Sequence, residues 1–121
     1  MILNSQGKNL LKILIPYLDC VNIRTDRVLD CPTYSEILQQ VVPTWIPAPG
    51  DDAGKLLKPR GLDDLANWTK ARGLPGITGL IVRKDTKDPG EGYYNLIRDT
   101  KIPTWVENIR ESKHIDWKQF L

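Results

Sequence analysis

The chain has 121 residues, of which 40% are hydrophobic and 26% charged, and its net charge is +2. That length suits one domain and crowds out two, and the composition is that of a folded protein rather than a disordered one. No apolar run reaches the roughly 18 residues that a membrane-crossing helix needs, and a charge of +2 does not by itself mark a binder of polyanions.

The opening MILNSQGKNLLKILIPYLDC has an apolar segment, but Lys12 and Pro16 interrupt it and no small-residue cleavage site follows, so it does not read as a signal peptide. Leu10, Ile13, Leu14, Tyr17, Leu18 and Val21 recur at helical spacing and predict an amphipathic core helix over about 8–22. Pro16 must kink that helix or mark a second start. Residues 22–30 read as a polar connection. In CPTYSEILQQVV, Thr33 followed by Glu36 is a capping box, and Tyr34, Ile37, Leu38 and Val41 supply a buried face.

Residues 43–60 are rich in Pro and Gly and are expected to form a long loop, its first part pinned by Trp45 and Ile46. LDDLANWTKAR, residues 62–72, predicts a third helix. Asp63 and Asp64 fall in its first turn and Lys70 and Arg72 in its last, with Gly73 at the position after the end. Leu62, Leu65, Ala66 and Thr69 make its inward face. Ile77–Arg83 and Tyr93–Ile97 are rich in β-branched and aromatic residues and predict paired strands, a β-hairpin over 77–97 with a charged tip from Lys84 to Gly92. In that tip Asp85, Asp88 and Glu91 offset Lys84 and Lys87. A short helix with Pro103 near its start and a terminal segment docking Trp117 and Phe120 complete the chain.

Cys20 and Cys31, with ten residues between them, fit neither a zinc ligand set nor a redox pair and read as two mostly buried free thiols in a reducing cytoplasm. The lone histidine, His114, reads as a surface residue. No phosphate loop, nucleophile elbow or zinc-protease motif is present. Asp51-Asp52 and Asp63-Asp64 have adequate structural reasons as loop and helix-start residues. The reading is therefore non-catalytic, with no cofactor and no metal.

Charge is unevenly placed. Between Lys55 and Lys84 lie seven basic residues against Asp63 and Asp64, a local charge of +5 that leaves −3 for the rest. Helix, capped helix, basic helix and charged hairpin is the element order of a winged helix-turn-helix, whose third helix enters the major groove while the wing touches backbone. The expected fold is a single α+β winged-helix-like domain over 1–121 that binds DNA. Lys55, Lys58, Arg60, Lys70 and Arg72 line one approach, and Arg83, Lys84 and Lys87 the other.

CPTYSEIL, LPGITGLIV and DPGEGYY also occur in an order that resembles the DNA-binding domain shared by alkyltransferase-like proteins and DNA alkyltransferases, over about residues 30–95. That family places a Thr-Tyr-Gly-acid motif before its recognition helix. Thr33, Tyr34 and Glu36 correspond, with Ser35 in place of the Gly. The resemblance implies a DNA contact at Tyr34. The family's Pro-Cys-His-Arg would fall near Leu74–Ile77, where this chain reads Leu-Pro-Gly-Ile, so no nucleophile and no alkyl transfer carry over. The alternative is a small inhibitor or immunity-type protein that blocks a larger enzyme, anchored by Trp45, Tyr93 and Tyr94.

Overall fold

The structure, a computed structural model, describes residues 2–97 and 102–121. It is mainly helical, with one small antiparallel hairpin, and so falls broadly in the α+β class. Among the described residues no helix is long and apolar enough to cross a membrane.

Helix α1 spans Ser5–Leu14 because Asn4 caps it, its side-chain oxygen accepting from the Gly7 N–H at 2.8 Å. Its apolar spacing then buries Leu10, Leu11 and Leu14 completely. Pro16 lies at the start of a separate 3₁₀ turn over Ile15–Asp19, so the second-start alternative holds. The connection expected at 22–30 contains the sheet. Strand β1 (Asn22–Ile23) pairs antiparallel with β2 (Val28–Leu29), and Val28 drops into the core.

Helix α2 runs Tyr34–Val41 from the expected cap. The Glu36 N–H donates to Thr33 Oγ1 at 3.2 Å, while the Thr33 hydroxyl faces Glu36 Oε1 at 3.1 Å. The carboxylate thus meets the capping hydroxyl itself. Ile37 and Leu38 are buried beneath it.

The loop expected over 43–60 is only half a loop. Asp52 accepts from the Lys55 N–H at 3.2 Å and starts α3 (Ala53–Leu57), and a 3₁₀ turn follows over Lys58–Arg60. Burial of Leu57 against the core repays ordering this segment. Trp45 is half-buried as expected, whereas Ile46 is 81% exposed and pins nothing.

Helix α4 (Leu62–Ala71) carries the expected acids at its start and Gly73 in left-handed conformation, φ 66°, after its end. Its buried face includes Trp68 as well as Leu65 and Thr69. Gly61, φ 118°, lets α4 begin hard against α1. A Cβ there would lie 2.5 Å from the Gln6 carbonyl oxygen.

The hairpin expected over 77–97 does not form. Ile77–Leu80 is a 3₁₀ turn, and helix α5 spans Glu91–Ile97. Residues 76–82 are buried on every side, so there is no solvent face for a half-exposed strand to present. Gly76 and Gly79 lie against the Tyr93 ring, where added Cβ atoms would sit 3.0 and 2.8 Å from its edge. The Gly79 carbonyl accepts from the Trp105 indole at 2.8 Å instead of from a neighbouring strand. Only Val82 pairs, in an isolated parallel bridge to Thr33. The side chain of Glu91 lies outside the described residues.

Helix α6 (Ile102–Ser112) has Pro103 in its first turn and buries Trp105, Val106 and Ile109, and the terminal turn docks Trp117 as expected. Phe120 meets Trp68 edge-on at 5.0 Å. The two cysteines are free, but Cys20 is exposed rather than buried. Burial pushes the Cys31 thiol up to about 12, with the Asp30 carboxylate adding to it.

Candidate functional site

An open cleft of about 1070 Å³ is bounded by the start of α2, α3 with its trailing turn, α4 and the loop over residues 83–90. Each wall has a local cause. The Asp52 cap turns α3 so that Lys55 and Lys58 face the opening, and helical phase brings Lys70 of α4 to the same side. The opposite wall is a closed loop. The Arg83 N–H donates to the Asp88 carbonyl at 2.8 Å, and the Lys87 N–H to the Arg83 carbonyl at 2.9 Å, with Lys87 left-handed at φ 60°.

Tyr34 joins the two walls. Its ring sits beside Gly54 of α3 and its hydroxyl beside Gly90, whose N–H donates to it at 3.1 Å. Withdrawal from water raises its pKa, opposed by the Gly90 hydrogen bond and the Arg83 charge and reinforced by Asp88 and Asp52. Behind the loop, the Tyr94 hydroxyl donates to Asp88 Oδ2 at 3.2 Å, and the Thr86 hydroxyl bonds the other oxygen of that carboxylate. Burial and the Asp88 charge push Tyr94 up to about 12.

The sequence expectations divide cleanly. Tyr34, Lys55, Lys58, Lys70, Arg83 and Lys84 line this one cleft. Arg60, Arg72 and Lys87 do not. The Arg72 guanidinium lies over the rings of Trp68 and Phe120, 5.8 and 5.6 Å from their centroids, where it staples the chain terminus. Of the aromatic anchors of the alternative reading, Tyr93 is buried and its hydroxyl accepts from Asn108 Nδ2 at 2.9 Å, so it presents no exposed ring. Trp45 donates to Asp51 Oδ2 at 3.3 Å, and Tyr94 is half-buried.

Four carboxylates also face the cleft: Asp51, Asp52, Asp63 and Asp85. Three are engaged. Asp51 accepts from Trp45 and from the Ala48 N–H, Asp52 caps α3, and Asp85 pairs with Arg83 at 3.4 Å. Among the described residues, Asp63 has no such partner, and Lys55, Lys58, Lys70 and Lys84 have no ion pair within 4.0 Å. The reading of the sequence missed Ser35, Asn67 and Thr78 as lining residues, and no local pattern marks them. No cluster of three or more His, Cys, Asp or Glu among the described residues could hold a metal.

Comparison of the chain with known protein families, with curated proteins and with solved structures finds no match.

Proposed function

We propose that the cleft binds nucleic acid without doing chemistry on it. The observation that carries this reading is the convergence of four lysines with no ion pair among the described residues, together with Arg83, on one opening from segments far apart in sequence. Asp51, Asp52, Asp63 and Asp85 face the same opening, three of them engaged elsewhere, and a polyanion that contacts the lysines releases its counterions. On this reading α4 and the 83–90 loop flank a sugar-phosphate backbone as the helix and wing of a winged-helix domain do, with the loop in place of the hairpin expected over 77–97.

Fluorescence polarisation with a mixed-sequence duplex and its single strand tests the reading. With about four phosphates neutralised, affinity should fall about a hundredfold between about 50 and 200 mM salt. Lys70→Ala and Lys84→Ala should weaken binding on every sequence alike. Arg72→Ala should leave affinity unchanged while costing about 0.5–1 kcal/mol of stability, because its cation packs on rings away from the cleft. No binding at the lower salt sinks the proposal.

One observation favours a protein partner instead. Ile46 is 81% exposed on the Pro-rich loop beside the half-buried Trp45. A protein inhibitor using that loop would ignore DNA in any buffer, and Trp45→Ala would damage it most.

A further inference from the structure

In duplex readers of the helix-turn-helix type, the recognition helix lies in the major groove with its N-terminal residues on base edges. Helix α4 is not free to do this. Its start is packed against α1: a Cβ at Gly61 would collide with the Gln6 carbonyl, and Asp64 Oδ2 accepts from the Asn4 N–H at 2.9 Å. The helix also packs on α5 and the Ile77–Leu80 turn, and Leu65, Trp68 and Thr69 are buried. Asp63, Asn67 and Lys70 remain exposed, a stripe at helical spacing, and all three line the cleft.

Other elements share that opening with the stripe. Helix α3 brings Lys55 with Lys58 after it, and the facing loop brings Arg83 and Lys84. A major groove about 12 Å wide admits one helix about 10–12 Å across, with no space for a second element beside it. A duplex therefore meets only the rim of the cleft, whereas a single strand can enter and be touched from both sides. The volume of about 1070 Å³ compares with about 300–1,000 Å³ for small-ligand sites, which suits a few nucleotides of one strand.

We infer that the cleft binds single-stranded nucleic acid in preference to duplex, its backbone held between α3 and the 83–90 loop and a base turned toward Asn67 and Asp63. The inference rests on the nucleic-acid reading above. The amide of Asn67 donates and accepts, as base edges do, while the Asp63 carboxylate only accepts and repels a phosphate. The donors that a strand can offer Asp63 are base amino and imino groups. Pairing occupies those Watson–Crick edges in a duplex, and a single strand leaves them open. The other carboxylates at the opening are engaged: Asp51 by Trp45 and Ala48, Asp52 as the cap of α3, and Asp85 by Arg83.

The test uses the whole chain with a strand of about ten nucleotides, within the span of known single-strand sites, and free of self-complementarity. The same strand as blunt duplex, DNA and RNA versions of both, and a nucleoside monophosphate complete the set, all at about 50 mM salt. At least one of the two single strands should bind about tenfold or more tightly than its own duplex, because a duplex at the rim loses the phosphate contacts of one side. Lys55→Ala and Lys84→Ala, from opposite sides, should each weaken the single strand. Asn67→Ala should weaken it about fivefold, the worth of one neutral hydrogen bond, with Tm and the salt dependence unchanged. Duplex binding as tight as that of either single strand overturns the inference and leaves the nucleic-acid reading standing. A loss at only one of the two lysines, or none at Asn67, takes the strand out of the cleft and also overturns it. Monophosphate binding as tight as that of the strands overturns it in favour of a free nucleotide, and silence from every probe removes both proposals.

Discussion

Two loops border the cleft and are ordered by opposite means. The segment from Pro43 to Asp51 is stiffened covalently by its prolines and tied mainly to itself and its own helix. Gln39 Nε2 donates to the Pro43 and Trp45 carbonyls at 3.0 and 2.9 Å, and Asp51 gathers Trp45 and Ala48. The 83–90 loop has a single proline and is held by hydrogen bonds that reach other elements, to Tyr34 of α2 and Tyr94 of α5. Each loop is organised by one aspartate, but Asp51 is exposed and Asp88 half-buried. The first loop touches the core through the half-buried Trp45 and is otherwise exposed. The second cannot move without breaking bonds to two helices, so it is the wall that fixes the position of Arg83 and Lys84.

The largest effect that would break this contrast is Asp88→Ala. It strands the half-buried Tyr94 hydroxyl, while the exposed Thr86 hydroxyl turns to water, and should cost about 1–2 kcal/mol in denaturant unfolding, against less than about 1 kcal/mol for Asp51→Ala in water-exposed surroundings. Equal costs would mean the two loops are not held differently. Tyr34→Phe should cost about 1 kcal/mol by leaving the Gly90 N–H without its acceptor, and should weaken oligonucleotide binding more than any change at Trp45.

Alkali sharpens the same point. Both Tyr34 and Tyr94 are raised from an ordinary value of 10.0, Tyr94 to about 12, chiefly by burial. Below pH 10 both are protonated whether the chain is folded or not, and their contribution is fully present. As pH rises from 10 toward 12 the unfolded chain releases these protons first, so stability falls. Unfolding curves across that window should steepen this loss in the wild type and flatten it in a Tyr34→Phe/Tyr94→Phe variant. The smallest effect concerns Lys87, whose φ of 60° is costly for a side-chain-bearing residue. Lys87→Gly should raise stability by about 0.5 kcal/mol, the relieved strain partly offset by a more flexible unfolded chain.

What was legible in the sequence follows the range of the forces involved. The start of α2 and both ends of α4 are set by side chains within a turn of the backbone they cap, so Thr33, Glu36, Asp63 and Gly73 announced them. Residues 77–97 were misread because their composition suits strands while distant partners decide their shape. The ring of Tyr93 against two glycines and the indole of Trp105 on a carbonyl leave no neighbouring strand to pair with. The basic stretch was visible, but not which of its members converge. Lys70 and Arg72, two positions apart, point about 200° from one another on a helix, which sends one to the cleft and the other to Trp68 and Phe120.

The bond between Tyr34 and Gly90 spans 56 positions of chain. During synthesis, α1 and α2 emerge first, with their caps set by neighbouring residues but the α4 face that α1 packs on still to come. The lysines at 55, 58 and 70 appear next, lacking the wall that completes their cleft. Closing a span of this length adds little free energy, because the entropy of closure grows only logarithmically, but long-range contacts are the slow ones to find. Until Gly90 reaches Tyr34, a growing chain carries the charges of the cleft without its shape. Any binding that depends on that shape begins late in the life of the nascent chain.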